Sequence, residues 1–330
     1  MSGTASPEPS GTDGAPLRLG VLGARSFVAR RAIYPAVAAS GEVDVVAVAA
    51  RSGPVPPEVA GVDVGSYEAV LAHPDVEAVY LPLPNGLHRR WTEAAAGAGL
   101  HVLVEKPIAG TVADAEAMVA ACEAAGVLLA EAWMTPFHPA LSTAVAAVRD
   151  GRIGRLRHVR SRFTFTIPPG NEDNHRWDPA QGGGAVRDVG VYTLGPVLAL
   201  LGVDAEVVDV VRHDTDRGVD ATTSLRVVGA DGAVADVLCS FELPEAQVLE
   251  LVGTAGTLTV HQPFTPTADA TRVEVTTTAG DVETLPTVGV DPYRAMLDAF
   301  AAAVRGVAPW PRPAGEAVDL LRRVEAAVPL

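Results

Sequence analysis

Apolar residues follow two regimes along the chain. Up to about residue 135, short apolar runs alternate with stretches of helical period. Residues 18–24, 43–50, 78–83, 101–104 and 127–131 read as buried strands. The stretch carrying Arg30, Arg31 and Val37 reads as helical, as do residues 67–71, 91–98 and 114–125. Such alternation predicts an α/β fold built on a doubly wound parallel sheet, with ligands at the carboxyl ends of its strands. Beyond residue 135 the pattern changes. A helix over 139–149 precedes period-two segments at 157–166, 225–228, 233–241 and 248–252, with a helix over 185–201 between them. These predict an α+β second domain with a mostly antiparallel sheet. Helices near 293–304 and 315–327 close it.

Composition narrows the ligands. At 330 residues the chain is long enough for two cores. It has no uninterrupted apolar run of about 18 residues, so no membrane span is expected. Residues 1–16 lack the basic start and apolar centre of a secretory signal and read as a disordered leader. Cys122 and Cys239 make no disulfide framework and no metal cluster, a usage that fits a reducing cytoplasm. No metal is expected. A net charge of −15 would repel nucleic acid and anionic lipid over most of the surface. An anionic ligand must therefore meet a local cluster of arginines or backbone N–H groups.

One oddity says more. Lys106 is the single lysine, against 24 arginines, and asparagine occurs only at 85, 171 and 174. A genome rich in G and C accounts for both scarcities, and a lone lysine can be chance. It can also mark a place where a permanently charged, planar guanidinium cannot serve and a compact ammonium that exchanges a proton can.

The first strand leads into Gly20-Val21-Leu22-Gly23-Ala24-Arg25-Ser26-Phe27-Val28. In a dinucleotide fingerprint, glycines allow a tight turn and let backbone N–H groups approach the pyrophosphate. Only Gly23 matches; Arg25 and Val28 stand where the second and third glycines belong. At the end of the second strand, an NAD site places a carboxylate for the ribose 2′-hydroxyl, and a 2′-phosphate calls for Arg. The chain has Ala49-Ala50-Arg51-Ser52. Arg51 and Ser52 are therefore read as holding the extra phosphate of NADP. Residues 17–134 are expected to form the NADP-binding domain, and residues 135–330 the substrate-binding domain.

Three further segments carry a resemblance. Val79-Tyr80-Leu81-Pro82-Leu83-Pro84-Asn85-Gly86-Leu87-His88, then His101-Val102-Leu103-Val104-Glu105-Lys106-Pro107, then Gly182-Gly183-Gly184-Ala185-Val186-Arg187-Asp188-Val189-Gly190-Val191-Tyr192 occur in that order. They resemble the glucose-fructose oxidoreductase/inositol dehydrogenase family, from Leu17 almost to the end of the chain. The segments 163–169, 174–176 and 211–217 are similar to the nucleotide-sugar 3-ketoreductases within it. That group reduces the C3 ketone of a nucleotide-linked deoxysugar with NADPH. The resemblance implies cofactor contacts from Gly23, Ala24, Arg25, Ser26, Phe27, Arg51, Ser52, Leu83, Pro84, Asn85, His88, Glu105 and Lys106. It implies substrate contacts from Lys106, Phe165, Arg176, Asp188 and Tyr192, with residues 166–169 on the far wall. It further implies a cis Lys106–Pro107 bond and a homo-oligomer, dimer or tetramer.

The chemistry required is specific. Hydride addition to a ketone creates an alkoxide, which a cation must stabilise and an acid must protonate. Lys106 ends the fourth strand, at the ligand-binding edge. Asp188 and Tyr192, four apart, share a helix face. An ammonium beside the Tyr192 phenol is expected to lower its pKa from about 10 and make it the acid. The competing readings are a surface tyrosine for Tyr192 and a charge favoured by the helix start for Asp188. Trp133, Phe137 and Trp177 are read as core or cleft wall. His138 and His175 lack metal-ligand spacing. The alternatives in function are an NADP-dependent aldose or trans-dihydrodiol dehydrogenase, and a non-catalytic NADP-binding sensor.

Overall fold

The computed structural model describes residues 14–202 and 204–328, so the expected leader lies outside the described residues as far as residue 13. The first six strands are β1 (Leu17–Leu22), β2 (Val43–Ala49), β3 (Asp63–Gly65), β4 (Ala78–Leu81), β5 (His101–Glu105) and β6 (Leu129–Ala132). All pair in parallel, in the order β3-β2-β1-β4-β5-β6. Strand order reverses between β1 and β4, so the turns leaving these two strands flank the crevice where such sheets take their ligands. A π-helical stretch, Ala29–Ile33, runs into α1 (Tyr34–Ala39). The helices α2 (Tyr67–Leu71), α3 (His88–Gly97) and α4 (Val112–Ala125) follow. Their ends obey local chemistry. Ser66 and Thr111 accept from the N–H groups of Ala69 and Asp114 at the starts of α2 and α4, and Gly126 ends α4 at φ +68.

The second sheet has eight strands. After α5 (Pro139–Arg149) come β7 (Leu156–Thr166), α6 (Ala185–Leu201), β8 (Glu206–Asp214), β9 (Asp220–Val228) and β10 (Val234–Ser240). Then follow β11 (Glu242–Gly253), β12 (Gly256–Val260), β13 (Val273–Thr277) and β14 (Val282–Leu285). The order is β14-β13-β12-β11-β7-β10-β9-β8, antiparallel throughout except for β7 beside β10. Helix α6 packs across β7, β9 and β10. The last helices, α7 (Pro292–Val304) and α8 (Ala314–Ala327), return to the first sheet: α7 meets α1 and β2, and α8 meets α4 and β6. Ala317, Val318 and Leu321 of α8 share a core with Val102, Val104 and Met118. Among the described residues, no helix is long and apolar enough to cross a membrane.

The triple glycine before α6 is set by close approach. Gly184 sits at φ +113, ψ 148, a region open essentially to glycine alone. A Cβ there would run into the Asp220 carboxylate. That carboxylate starts α6 from the neighbouring strand, accepting from Val186 N at 2.9 Å and from Thr223 Oγ1 at 2.6 Å. Gly182 lies against Asn85 and Gly110, and Asn85 Nδ2 donates to the Gly182 carbonyl at 2.9 Å, joining the two halves beside the crevice. Gly184→Ala is expected to cost about 1–3 kcal/mol in urea unfolding. An unchanged midpoint would show that this turn relaxes freely.

Candidate active site

The crevice begins at the turn after β1. Gly23, at φ +108, lets the backbone pass so close to the β4 loop that a Cβ would meet Leu83 Cδ2 and Pro82 O at 3.0 Å. Ser26 Oγ accepts from Ala29 N at 3.0 Å, which fixes the start of the following helix. Gly23, Arg25, Ser26, Arg51, Ser52, Leu83 and Pro84 line a groove of about 320 Å³. Arg25 Nη1 donates to the Ser52 carbonyl at 2.9 Å. Among the described residues, the Arg51 guanidinium has no hydrogen-bond or ion-pair partner. These features fit a dinucleotide with a 2′-phosphate: a close glycine turn, a helix start and an uncommitted guanidinium.

Next to this groove opens a cleft of about 810 Å³ between the two halves. Ser26, Phe27, Leu83, Pro84, Asn85, Glu105, Lys106, Phe165, Arg176, Asp188 and Tyr192 line it, so the structure brings most of the expected residues together. Phe27 is 81% exposed at its rim, an apolar surface that a ligand would cover.

Two expected cofactor contacts face elsewhere. Ala24 is fully buried, and its N–H donates to the Ala49 carbonyl at 2.9 Å, as that of Gly23 does at 2.8 Å. His88 is fully buried too and lines neither space. Its Nε2 lies 2.8 Å from the Leu83 carbonyl, and its Nδ1 lies 3.1 Å from the carbonyls of Pro107 and Ile108. It straps the β4 loop to the segment after Lys106. Burial pushes the imidazole pKa down, against the pull of those carbonyls. Residues 166–169, expected on the far wall, also lie outside the lining, and Thr166 Oγ1 donates to Leu243 O at 3.0 Å.

At the inner end stands Lys106, whose bond to Pro107 is cis, as the resemblance implies. Its Nζ donates at 2.8 Å to both the carbonyl and Oδ1 of Asp188. Arg176 Nε donates to Asp188 Oδ2 at 2.6 Å. An ammonium has three donors, so two orient it and one is left for a ligand. The cluster of two cations and one carboxylate carries a net +1. Burial pushes the Asp188 carboxyl up, but Arg176 and Lys106 overcome it and hold the group well below the usual carboxylate range. Asp188 therefore acts as a fixed anion and not as the acid.

Tyr192 corrects a further expectation. Its pKa is pushed well above 10, by burial first and then by the carboxylates of Glu105 and Asp188. The ammonium lies over the face of the ring, 4.9 Å from its centre, where it also faces the carboxylate that neutralises it. The phenol is thus held protonated.

Behind Lys106 the segment is braced. Glu105, its pKa raised by burial, accepts from Tyr80 Oη at 2.6 Å and from Lys106 N at 3.2 Å. Glu131 accepts from Ile108 N at 2.9 Å and from Arg312 Nη1 at 3.1 Å. Sequence reasoning missed Arg31, Asn174, His175, Thr265 and Tyr293 as cleft residues. Asn174 and His175 adjoin Arg176 and were within reach; Arg31, Thr265 and Tyr293 carry no local signal. Among the described residues, no group of three or more His, Cys, Asp or Glu is placed to hold a metal.

Comparison with known proteins agrees with this geometry. Residues 17–132 match the model of an oxidoreductase family with an NAD-binding Rossmann fold, and residues 141–259 match that of the GFO/IDH/MocA C-terminal domain. The chain is 37% identical over 317 residues to D-xylose 1-dehydrogenase (NADP(+)) 2 of Haloferax volcanii, covering 94% of this chain and 96% of that one. It is 35% identical over 321 residues to a dTDP-3,4-didehydro-2,6-dideoxy-alpha-D-glucose 3-reductase of Streptomyces violaceoruber, covering 94% and 93%. A solved 3-ketoreductase from Actinomadura kijaniata, in complex with NADP and TDP-benzene, has a TM-score of 0.87 at 30% identity, covering 94% and 97%.

Proposed function

The chain belongs to the GFO/IDH/MocA family of oxidoreductases, and from that membership we propose that it is an NADPH-dependent ketoreductase acting on the C3 ketone of a nucleotide-diphosphate-linked deoxysugar. One observation carries the chemistry: an ammonium held by two bonds to Asp188, with one N–H left over, in a cleft shared with a protonated phenol. Gly23, Arg25, Ser26 and Phe27, with the β4 loop and Arg51 and Ser52, would hold the cofactor. Bound there, NADPH supplies the hydride. Lys106 donates its remaining N–H to the ketone oxygen and stabilises the negative charge that develops on it. A proton then passes to that oxygen from Lys106 or Tyr192, and water restores it. Asp188 keeps the ammonium oriented, and Arg176 keeps Asp188 ionised. Phe165 and Arg176, with Arg176 Cζ 5.9 Å from the centre of the Phe165 ring, form the wall that faces the sugar. A cytoplasmic homo-oligomer belongs to the same proposal.

A second reading has one observation in its favour, the D-xylose dehydrogenase relative at 37% identity. Under that reading the same groups work in reverse: Lys106, once it has yielded a proton to water, takes the proton of a free aldose hydroxyl, whereas the Tyr192 phenol, held protonated, cannot.

Cofactor choice is tested first. Titration by NADPH fluorescence is expected to show tighter binding than NADH. Arg51→Ala should weaken NADPH and leave NADH nearly unchanged, since only NADPH carries the 2′-phosphate. Equal or tighter binding of NADH by the unmodified protein would overturn the assignment.

A further inference from the structure

The nucleotide-sugar reading needs a cation for the substrate's diphosphate besides Arg176, which is placed on the wall that faces the sugar. Arg176 has its Nε committed to Asp188. Arg31 is different. It lines the same cleft, on the nucleotide side, and no reading of the sequence gave it a role there. Phe27 and Arg31 are four apart and both line the cleft, so one helical face presents an apolar ring and a cation to it. Among the described residues, the Arg31 guanidinium has no hydrogen-bond or ion-pair partner. That is informative in a chain with 40 acidic and 25 basic side chains. Its neighbour Arg30, one residue away, takes Glu58 at 3.0 Å.

We infer that Arg31 binds the diphosphate of the substrate, an inference that rests on the nucleotide-sugar reading. A guanidinium fork matches phosphate oxygens two at a time. In a chain of net charge −15, a diphosphate needs a local cation to enter at all. The anions of the dinucleotide have other partners within reach: the helix start at Ser26 and the groove of Arg25 and Arg51. The cleft, at about 810 Å³, is within the size range that takes a whole small ligand.

The test is calorimetric titration of thymidine diphosphate into the full chain saturated with NADPH, comparing the unmodified protein with Arg31→Ala and Arg30→Ala. Arg31→Ala is expected to weaken thymidine diphosphate about 10- to 100-fold, the range for losing a charge-assisted hydrogen bond. Its NADPH affinity, measured separately by fluorescence, should stay within about twofold. Arg30→Ala removes the same charge from the same turn and should leave both affinities unchanged. If thymidine diphosphate binds the unmodified protein and Arg31→Ala equally, the inference fails and the nucleotide-sugar reading stands. A parallel loss of NADPH affinity would assign Arg31 to the cofactor and overturn the inference as well. If the unmodified protein does not bind thymidine diphosphate, the underlying reading fails and takes the inference with it.

Discussion

Lys106→Met is expected to lower turnover by about 100- to 1000-fold, the usual cost of removing a donor that faces a developing oxyanion. Methionine keeps roughly the length of the side chain and removes its charge, so cofactor binding should remain nearly intact. Neither of its neighbours at Asp188 can substitute for the ammonium. Arg176 already serves Asp188, and the Tyr192 hydroxyl is neutral. Lys106→Arg should fail as well, because a guanidinium does not yield its proton and its planar fork does not fit the paired acceptors of Asp188. Tyr192→Phe is expected to cost less, since Lys106 or water can deliver the proton. Single-turnover rates with saturating NADPH separate these cases. A dead Tyr192→Phe beside a near-normal Lys106→Met would exchange the two roles.

Asp188→Asn is the second large effect, and it acts on folding and turnover together. The carboxylate is 14% exposed and neutralises Lys106, 11% exposed, and Arg176, 30% exposed. Removing its charge leaves two partly buried cations facing one another. A broken buried pair costs about 3–5 kcal/mol, and the open cleft around Arg176 places the expectation near the lower end. The loss must depend on pH in one direction. The carboxyl is lower in the folded protein than in the unfolded chain, because the cations outweigh burial. Its stabilisation is therefore complete above its unfolded value of about 3.9 and is lost as pH falls toward the folded one. Urea midpoints of the two proteins should differ fully at pH 7, and the gap should narrow below about pH 4. A gap that is constant from pH 7 to pH 3 would mean that the charge of Asp188 does not stabilise the fold. Turnover should drop about 100-fold, the scale of an ångström-sized misplacement of a reacting group.

Much of this site was legible because its parts lie in short segments with strong local patterns. The continuous apolar runs of β1, β2, β4 and β5 fix the parallel sheet, and with it the edge at which Lys106 emerges. The helix α6 has the residue range expected from its period, and its 3.6-residue turn puts Asp188 and Tyr192 on one face. The strands that escaped notice are β3, with three residues, β8, an edge strand whose side chains are mostly exposed, and the short β12, β13 and β14, of five, five and four residues. Orientation was less legible than position. The phenol of Tyr192 was expected to feel the ammonium most, but its ionisation is governed by burial and by carboxylates on β5 and α6, which only the folded chain assembles. His88 stood in a visible motif, yet its work is set by carbonyls of residues 107 and 108, about twenty positions away. Arg31 and Tyr293 come from helices at opposite ends of the chain, and no spacing in the sequence announces that they meet at one cleft.

The most direct measurement of the central claim is a pair of steady-state assays on the unmodified protein. One follows NADPH consumption with a thymidine-diphosphate-linked 3-keto-deoxyhexose; the other follows NADP⁺ reduction with D-xylose. The account predicts that kcat/KM for the nucleotide-linked ketone exceeds that for D-xylose by at least about 100-fold, as expected when binding contacts to the diphosphate and base are lost with the free sugar. Higher efficiency with D-xylose, with no reduction of the nucleotide-linked ketone, would contradict it.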